Sequence, residues 1–236
     1  MAQDEYVTLM ASLPALGPML AARHAPINSV RLQTRLKQLH PEHLAELTAI
    51  ADLLDWSRLP LAGTDDELVR RARTVIPTLS SPTVADLARD RMELRTLVSA
   101  LRRRHAGQEA PSAGVVWGYG RYVRRLVSGW REPDFGLAQS FPWVNAARAC
   151  LEKQDSRGLE RILLEQAWHL TDRVAGGHVF NFEAVVLYVI RWHLLYRWTR
   201  YDAEAAAARF GGLVAETLGS LADLPHPRAE LREAVS

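Results

Sequence analysis

Cysteine is almost missing from this chain. Cys150 is the only one in 236 residues, so no disulfide can form within the chain, and a reducing compartment is expected. An excess of one charge is missing too. The 29 basic and 27 acidic side chains leave a formal net charge of +2, which by itself argues for neither nucleic acid nor an anionic membrane as partner. No run of about 18 uninterrupted apolar residues occurs, so no membrane-spanning helix is predicted. The first residues, MAQDEYVTLMASLPALG, begin acidic and lack a basic segment followed by a long apolar one. A secretory signal is therefore not expected, and a cytoplasmic location is. Strand does not alternate with helix, and short repeats and long heptad runs are absent, which argues against an alternating strand-and-helix protein, a solenoid or a coiled coil. What is present, 48% hydrophobic and 24% charged residues, is the ordinary composition of a folded globular protein. It suffices for one large helical domain or two modest ones.

The chain reads as all-α, an irregular multi-helix bundle. Tyr6 to Leu13 is apolar but short, and strand and helix are both compatible with it. Asn28 is placed to cap a helix running to about Leu39, and Pro41 to open another running to about Trp56. Thr64 to Glu67 reads as a capping box. Ser81-Pro82 opens a helix to Arg104, with Gly107 just past its end. Residues 108–114 carry the Gly, Pro and Ser of a linker, dividing an N-terminal half (1–107) from a C-terminal half (115–222), with a polar tail at 223–236. In the second half, helices are predicted over 115–127, 141–153 and 156–174. Gly176-Gly177 breaks the chain before the next helix, and Asp202 is placed to cap a last one ending near Leu221.

The most apolar segment, Phe180 to Tyr201, is expected to form a central buried helix at about 178–200, because its apolar and aromatic residues cover every side of the cylinder. Glu183 lies among Phe180, Val186, Leu187 and Ile190. On the 81–104 helix, Arg91 falls inside the stripe of Val84, Leu87, Leu94, Val98 and Leu101, and Arg95 falls on its edge. A carboxylate in apolar surroundings has its pKa raised or meets a cation. Glu183 is therefore expected to pair with Arg95 first, and with Arg91 second.

Signals for chemistry are sparse. Trp117-Gly-Tyr-Gly-Arg121 lacks the third glycine and the Lys-Ser/Thr of a phosphate-wrapping loop; its close glycines suit a near approach of neighbouring helices. His40 and His43 have HxxH spacing without a completing ligand. His169, Asp172 and His178 meet only if the Gly-Gly turn folds back, and paired Glu-x-x-His motifs are absent. A metal- or cofactor-binding bundle around His169 and His193 is the least favoured reading; no metal, cofactor or catalytic constellation is expected. Cys150 reads as a small hydrophobe. The basic clusters offer more. Arg102, Arg103, Arg104, Arg121, Arg124 and Arg125 form a patch that suits a solvated face or an acidic protein partner. Interleaved with Trp117, Tyr119, Tyr122 and Trp130, the segment from Arg121 to Arg131 alternatively suits RNA, through phosphate contacts and stacking.

Two resemblances follow from these residues. Asp90-Arg-Met-Glu-Leu94-Arg95-Thr96-Leu97-Val98 is similar to the Asp-x-x-Asn-Leu-(Lys/Arg)-Thr-Leu-Leu pattern of the C subunit (the d subunit of eukaryotes) of V/A-type ATPases, with Glu93 where that pattern has asparagine. More of the chain resembles a small helical protein encoded in bacterial V/A-type ATPase operons. The matching residues are Tyr6, Leu9 and Ala11-Ser12-Leu13-Pro14; Asp134-Phe135-Gly136-Leu137 and Pro142-Trp143; Leu159-Glu160 and Trp168; Phe180, Phe182-Glu183 and Tyr188; and Arg197-Trp198 before Phe210. The resemblance implies a C-subunit-like helical fold and a non-catalytic adaptor, assembly factor or regulator of an ion-moving rotary ATPase. The implied partners are other ATPase subunits, at the central shaft or the rotor ring, with no small-molecule substrate. Any attachment to the membrane would be peripheral, through that complex. The chain is short for the C-subunit family's full set of repeats.

Overall fold

A computed structural model describes residues 2–54, 65–112 and 114–200 of the chain. Among these residues there are helices and loops but no strand. The helices are α1 (Ala2–Ser12), α2 (Ser29–Leu36), α3 (Pro41–Leu54), α4 (Asp65–Val75), α5 (Pro82–His105), α6 (Val123–Ser128), α7 (Trp143–Glu152), α8 (Ser156–Ala175) and α9 (residues 182–200). The expected helix from Asp202, the tail at 223–236, Phe210 and the threonine of the capping box lie outside the described residues.

Local chemistry explains most of these boundaries. Asn28 Oδ1 accepts from the Arg31 amide at 2.8 Å, Asp155 Oδ1 from Gly158 at 2.8 Å, and Asn181 Oδ1 from Ala184 at 3.0 Å. Each closes one of the orphan N–H groups of a first helical turn. Helix α5 opens on Ser81 with proline at its first position, and ends in a Schellman motif: the Gly107 amide bonds Arg104 O and the Gln108 amide bonds Arg103 O. Gly107 takes the left-handed conformation this requires, at φ +74°. The same motif ends α7 with Gln154 at φ +55°, after which Asp155 caps α8 at once. That tight corner lays α7 and α8 side by side.

Two apolar clusters form the core. The first gathers Tyr6 and Leu9 of α1, buried residues of α2, α3 and α4, the first half of α5, Leu164 and Ala167 of α8, and α9. The second gathers Leu97 to Leu101 of α5 with Trp117, Leu126, Trp130, Phe135, Val144 of α7, and Leu159 and Leu163 of α8. The loop at 108–114 does not separate these clusters, because α5 before it and α8 after it contribute to both. Helix α9 is buried from Phe182 to Trp198 along most of its length, as its all-round apolar pattern implies. Helix α5 is also largely buried: Ala85, Ala88 and Ala100 are at most 5% exposed on flanks outside the apolar stripe. Small side chains there let neighbouring helices approach closely.

The irregular stretch between α1 and α2 is held along α9. Tyr188 donates its hydroxyl to Pro14 O at 2.9 Å, and Trp192 Nε1 donates to Ile27 O at 2.8 Å. Backbone carbonyls of a buried loop need partners, and the aromatic polar tips of α9 supply them. Tyr6, which sequence left between strand and helix, lies on α1. Its hydroxyl meets His43 Nδ1 at 2.7 Å, and the His43 ring stacks on Phe182 at 4.8 Å.

Sequence and structure part at residues 115–127. A helix was expected throughout; only Val123–Ser128 is helical. Gly120 sits at φ +103°, outside the reach of a right-handed helix, and the segment before it is irregular and bonded to α5 through Thr96.

Candidate functional site

Asp90, Glu93 and Thr96 stand one turn apart along a face of α5, and this row receives the 115–122 loop. The Tyr119 amide donates to Thr96 Oγ1 at 2.8 Å. The Arg121 amide donates to Glu93 Oε1 at 2.9 Å, while Arg121 Nε donates to Oε2 at 3.2 Å. Such contact requires glycine. A Cβ on Gly118 would stand 2.6 Å from Thr96 Cγ2, and one on Gly120 would stand 2.3 Å from Glu93 Cγ. The paired glycines thus allow a close approach, as their spacing suggested, but between a loop and a helix.

Arg121 is the hinge of the charge arrangement. Beyond Glu93 it reaches Asp90 at 3.4 Å, and Asp90 also accepts from Arg173 of α8 at 2.9 Å. The Glu93 carboxylate beside it, with Asp90 further off, raises the Arg121 pKa above its ordinary value. Glu93 itself is only 8% exposed. On one side of Arg121 lies a cleft of about 290 Å³ walled by Asp90, Phe141, Trp143, His169 and Arg173. On the other lies a cleft of about 450 Å³ whose lining includes Arg73, Arg121 and Arg124 but no carboxylate. A third, of about 330 Å³, lies between Arg104, Arg131, Arg148 and Glu152.

The structure redistributes the basic patch expected from sequence. Arg103 is held by Asp65 at 2.8 Å, beside Ser99, whose hydroxyl donates to the same carboxylate at 2.6 Å. Arg104 donates to Glu132 O and, at 2.7 Å, to Pro133 O, and lies 3.9 Å over the ring of the fully buried Phe135. Arg125 pairs with Glu132 at 3.2 Å. These three, with Arg121, fasten the fold. Arg102 and Arg124 are exposed. Trp117 and Trp130 are 3% and 8% exposed, with the Trp130 indole N–H bonded to Gln108 O at 3.0 Å. The two tryptophans of the RNA reading are therefore inside the core, while Tyr119 and Tyr122 are half-buried.

The expected Glu183 ion pair is corrected. Glu183 Oε1 accepts from Ser81 Oγ at 2.7 Å, at the start of α5, where a carboxylate also meets the positive end of the helix dipole. Arg91 and Arg95 lie roughly 15 and 20 Å further along the helix, out of reach. Helices α5 and α9 do pack together, but in a different register. Arg91 is 3% exposed; burial first, then the charges of Arg95 and Arg197, lower its pKa to about 9. Burial likewise lowers that of Arg95 to about 10, with Arg102 adding to the effect and Asp65 opposing it.

The ion pair that does cross the core is Glu160 with Arg197, from α8 to α9. Further along the same two helices, Arg191 donates from Nε to the buried Thr171 hydroxyl at 2.8 Å, reaches Asp172, and lies 5.3 Å over Trp168. Both were legible in principle. Glu160 and Thr171 share an apolar stripe with Leu163, Leu164 and Ala167 at helical spacing, and a polar group inside such a stripe seeks a partner.

The histidines do not assemble. His169 is exposed on the rim of the first cleft, 3.8 Å from Asp172; His178 meets the Asn181 amide at 2.9 Å; His193 is exposed on α9; His40 and His43 stand with rings 6.2 Å apart. Among the described residues no group of three or more His, Cys, Asp or Glu is placed to hold a metal ion, and no helix is long and apolar enough to cross a membrane. Cys150 is half-buried beneath the first turn of α8. The arrangement can present guanidinium groups on either side of Arg121 from a rigid helical frame. Compared with known proteins, the chain matches no family model, no curated protein and no solved structure.

Proposed function

We propose that this chain is a non-catalytic interaction protein accompanying a V/A-type rotary ATPase, as a C-subunit-like adaptor, an assembly factor or a regulator. One observation carries the reading: the residues behind the resemblance, scattered along the sequence, meet one another in space. Tyr6 and Phe182 flank His43, Pro14 accepts from Tyr188, and Glu160 binds Arg197. A set of residues that forms the joints of one fold is what a shared fold would preserve, and it supports reading the resemblance as a whole.

The surface suits such a role. Rigid elements carry exposed arginines, and charge on an interface rim steers association and selects the partner. The test is affinity purification of the tagged chain from membranes of its own host in mild detergent. The expected result is co-elution of ATPase subunits in constant ratio. Recovery of the tagged chain without any of them would count against the reading.

A further inference from the structure

The cleft between α4, the 115–122 loop and α6 differs from its neighbours in charge. Arg73 comes from the last turn of α4, Arg121 from the loop and Arg124 from α6, and together they line about 450 Å³ with no carboxylate among them. The other two clefts carry their own counter-charges, Asp90 and Glu93 in one and Glu152 in the other. Arg121 is already bound by Glu93 and Asp90. Arg73 and Arg124 are exposed, and among the described residues neither meets a carboxylate. Glycine at 118 and 120 keeps the floor low, while Tyr119 and Val123 give it an apolar wall.

We propose that this cleft is the docking site for an acidic segment of a partner protein, with Arg73 and Arg124 as its contact residues and Arg121 as the fixed cation between them. The proposal deepens the interaction reading and rests on it for the existence of a protein partner. Carboxylate side chains suit the site on three counts. Guanidinium forks bind carboxylates in two-point fashion. The aliphatic stems of glutamates pack on Tyr119 and Val123. Arg121 is held in place before any partner arrives, so little side-chain freedom is lost there on binding. Nucleic acid is the poorer occupant, because Trp117 and Trp130 are buried and Tyr119 is the one aromatic side chain lining the cleft.

The experiment uses the full chain, a fluorescein-labelled oligoglutamate peptide and, as competitor, oligouridylate RNA. Binding is read by fluorescence anisotropy at low and at moderate salt. The expected result is salt-sensitive binding of oligoglutamate, weakened roughly tenfold in the double variant Arg73→Ser/Arg124→Ser and unchanged in Arg102→Ser. Arg102 is an exposed arginine outside the cleft, and thermal melts confirm that both variants fold. Absence of oligoglutamate binding at low salt would overturn the proposal, as would equal weakening by Arg102→Ser. Tighter binding of oligouridylate, lost in the double variant, would overturn it in favour of a nucleic-acid surface. Repeating the ATPase co-purification with the double variant separates the two readings. Undiminished recovery of subunits sinks this site and leaves the ATPase association standing. Failure with the unmodified chain, alongside intact oligoglutamate binding, sinks the association and leaves an acidic-segment site.

Discussion

Arg197 of α9 grips Glu160 of α8 at two points, Nη2 donating to Oε2 at 3.2 Å and Nε to Oε1. The two sides are unequally buried: the Glu160 side chain is 11% exposed and that of Arg197 36%. The cost of breaking the pair should therefore depend on which partner is removed. Arg197→Ala strands a carboxylate in the core and is expected to lower stability by about 3 kcal/mol. Glu160→Gln leaves an arginine that can turn to water, at about 1 kcal/mol. Urea unfolding of both variants checks this; equal losses would show that the buried carboxylate is not what the pair stabilises.

Tyr188 links the chain near Pro14 to α9, and its burial holds ionisation back from the ordinary 10.0 to about 12. A folded-state pKa above the unfolded one means the neutral hydroxyl is favoured by folding. The contribution is complete below pH 10 and is lost as pH rises to about 12, on the order of 2–3 kcal/mol in all. Tyr188→Phe should cost about 1 kcal/mol at neutral pH and flatten that part of the stability profile. An alkaline profile indistinguishable from that of the unmodified chain would remove the hydroxyl from the account.

Gly120 and Gly107 both have positive φ, at +103° and +74°, but differ in what surrounds them. A methyl group on Gly107 meets nothing within 4 Å, whereas on Gly120 it runs into Glu93. Gly107→Ala is expected to cost about 1 kcal/mol of backbone strain alone. Gly120→Ala adds displacement of Glu93 from the Arg121 amide, for a total of about 3 kcal/mol. Thermal melts of the two variants read the difference, and similar melting temperatures would mean that the loop does not rest on Glu93 in solution.

Arg104 pins the 129–137 loop through the carbonyls of Glu132 and Pro133 and the face of Phe135. Lysine cannot reproduce that planar, forked contact. Both Arg104→Ala and Arg104→Lys should loosen the loop, with alanine costing about 2 kcal/mol. Hydrogen exchange is expected to quicken at residues 129–137 and to remain unchanged in α9. Protection retained in the lysine variant would reduce Arg104 to a simple positive charge.

The site shows where reading the sequence stopped. The arginines were visible as a cluster, but Arg103, Arg104, Arg121 and Arg125 are fasteners whose carboxylate or carbonyl partners are distant in sequence or in a loop. Only the packed chain tells such an arginine from Arg73 and Arg124. Of the aromatic residues of the same stretch, Trp117 and Trp130 are buried with residues of α5 and α7, and only Tyr119 and Tyr122 stay partly open. Glu183, expected to meet Arg95 or Arg91, has its partner in Ser81. The partner differs because the axial offset of α5 against α9 is set by how their side chains interlock, which neither helix's own pattern records.

By itself the sequence determined the helical class, the caps at Asn28 and Ser81, the stop at Gly107 and the burial of the 182–200 helix. These rest on interactions within a few residues or on the period of apolar positions along one element, both written directly in the chain. Tertiary structure alone decided the pairing of Glu160 with Arg197, the non-helical path of residues 115–122 and the sorting of the arginines into anchors and an open cleft. Each of those depends on which distant group arrives within about 3 Å of a charge or a backbone amide. That proximity is settled only when α5, α8 and α9 pack together.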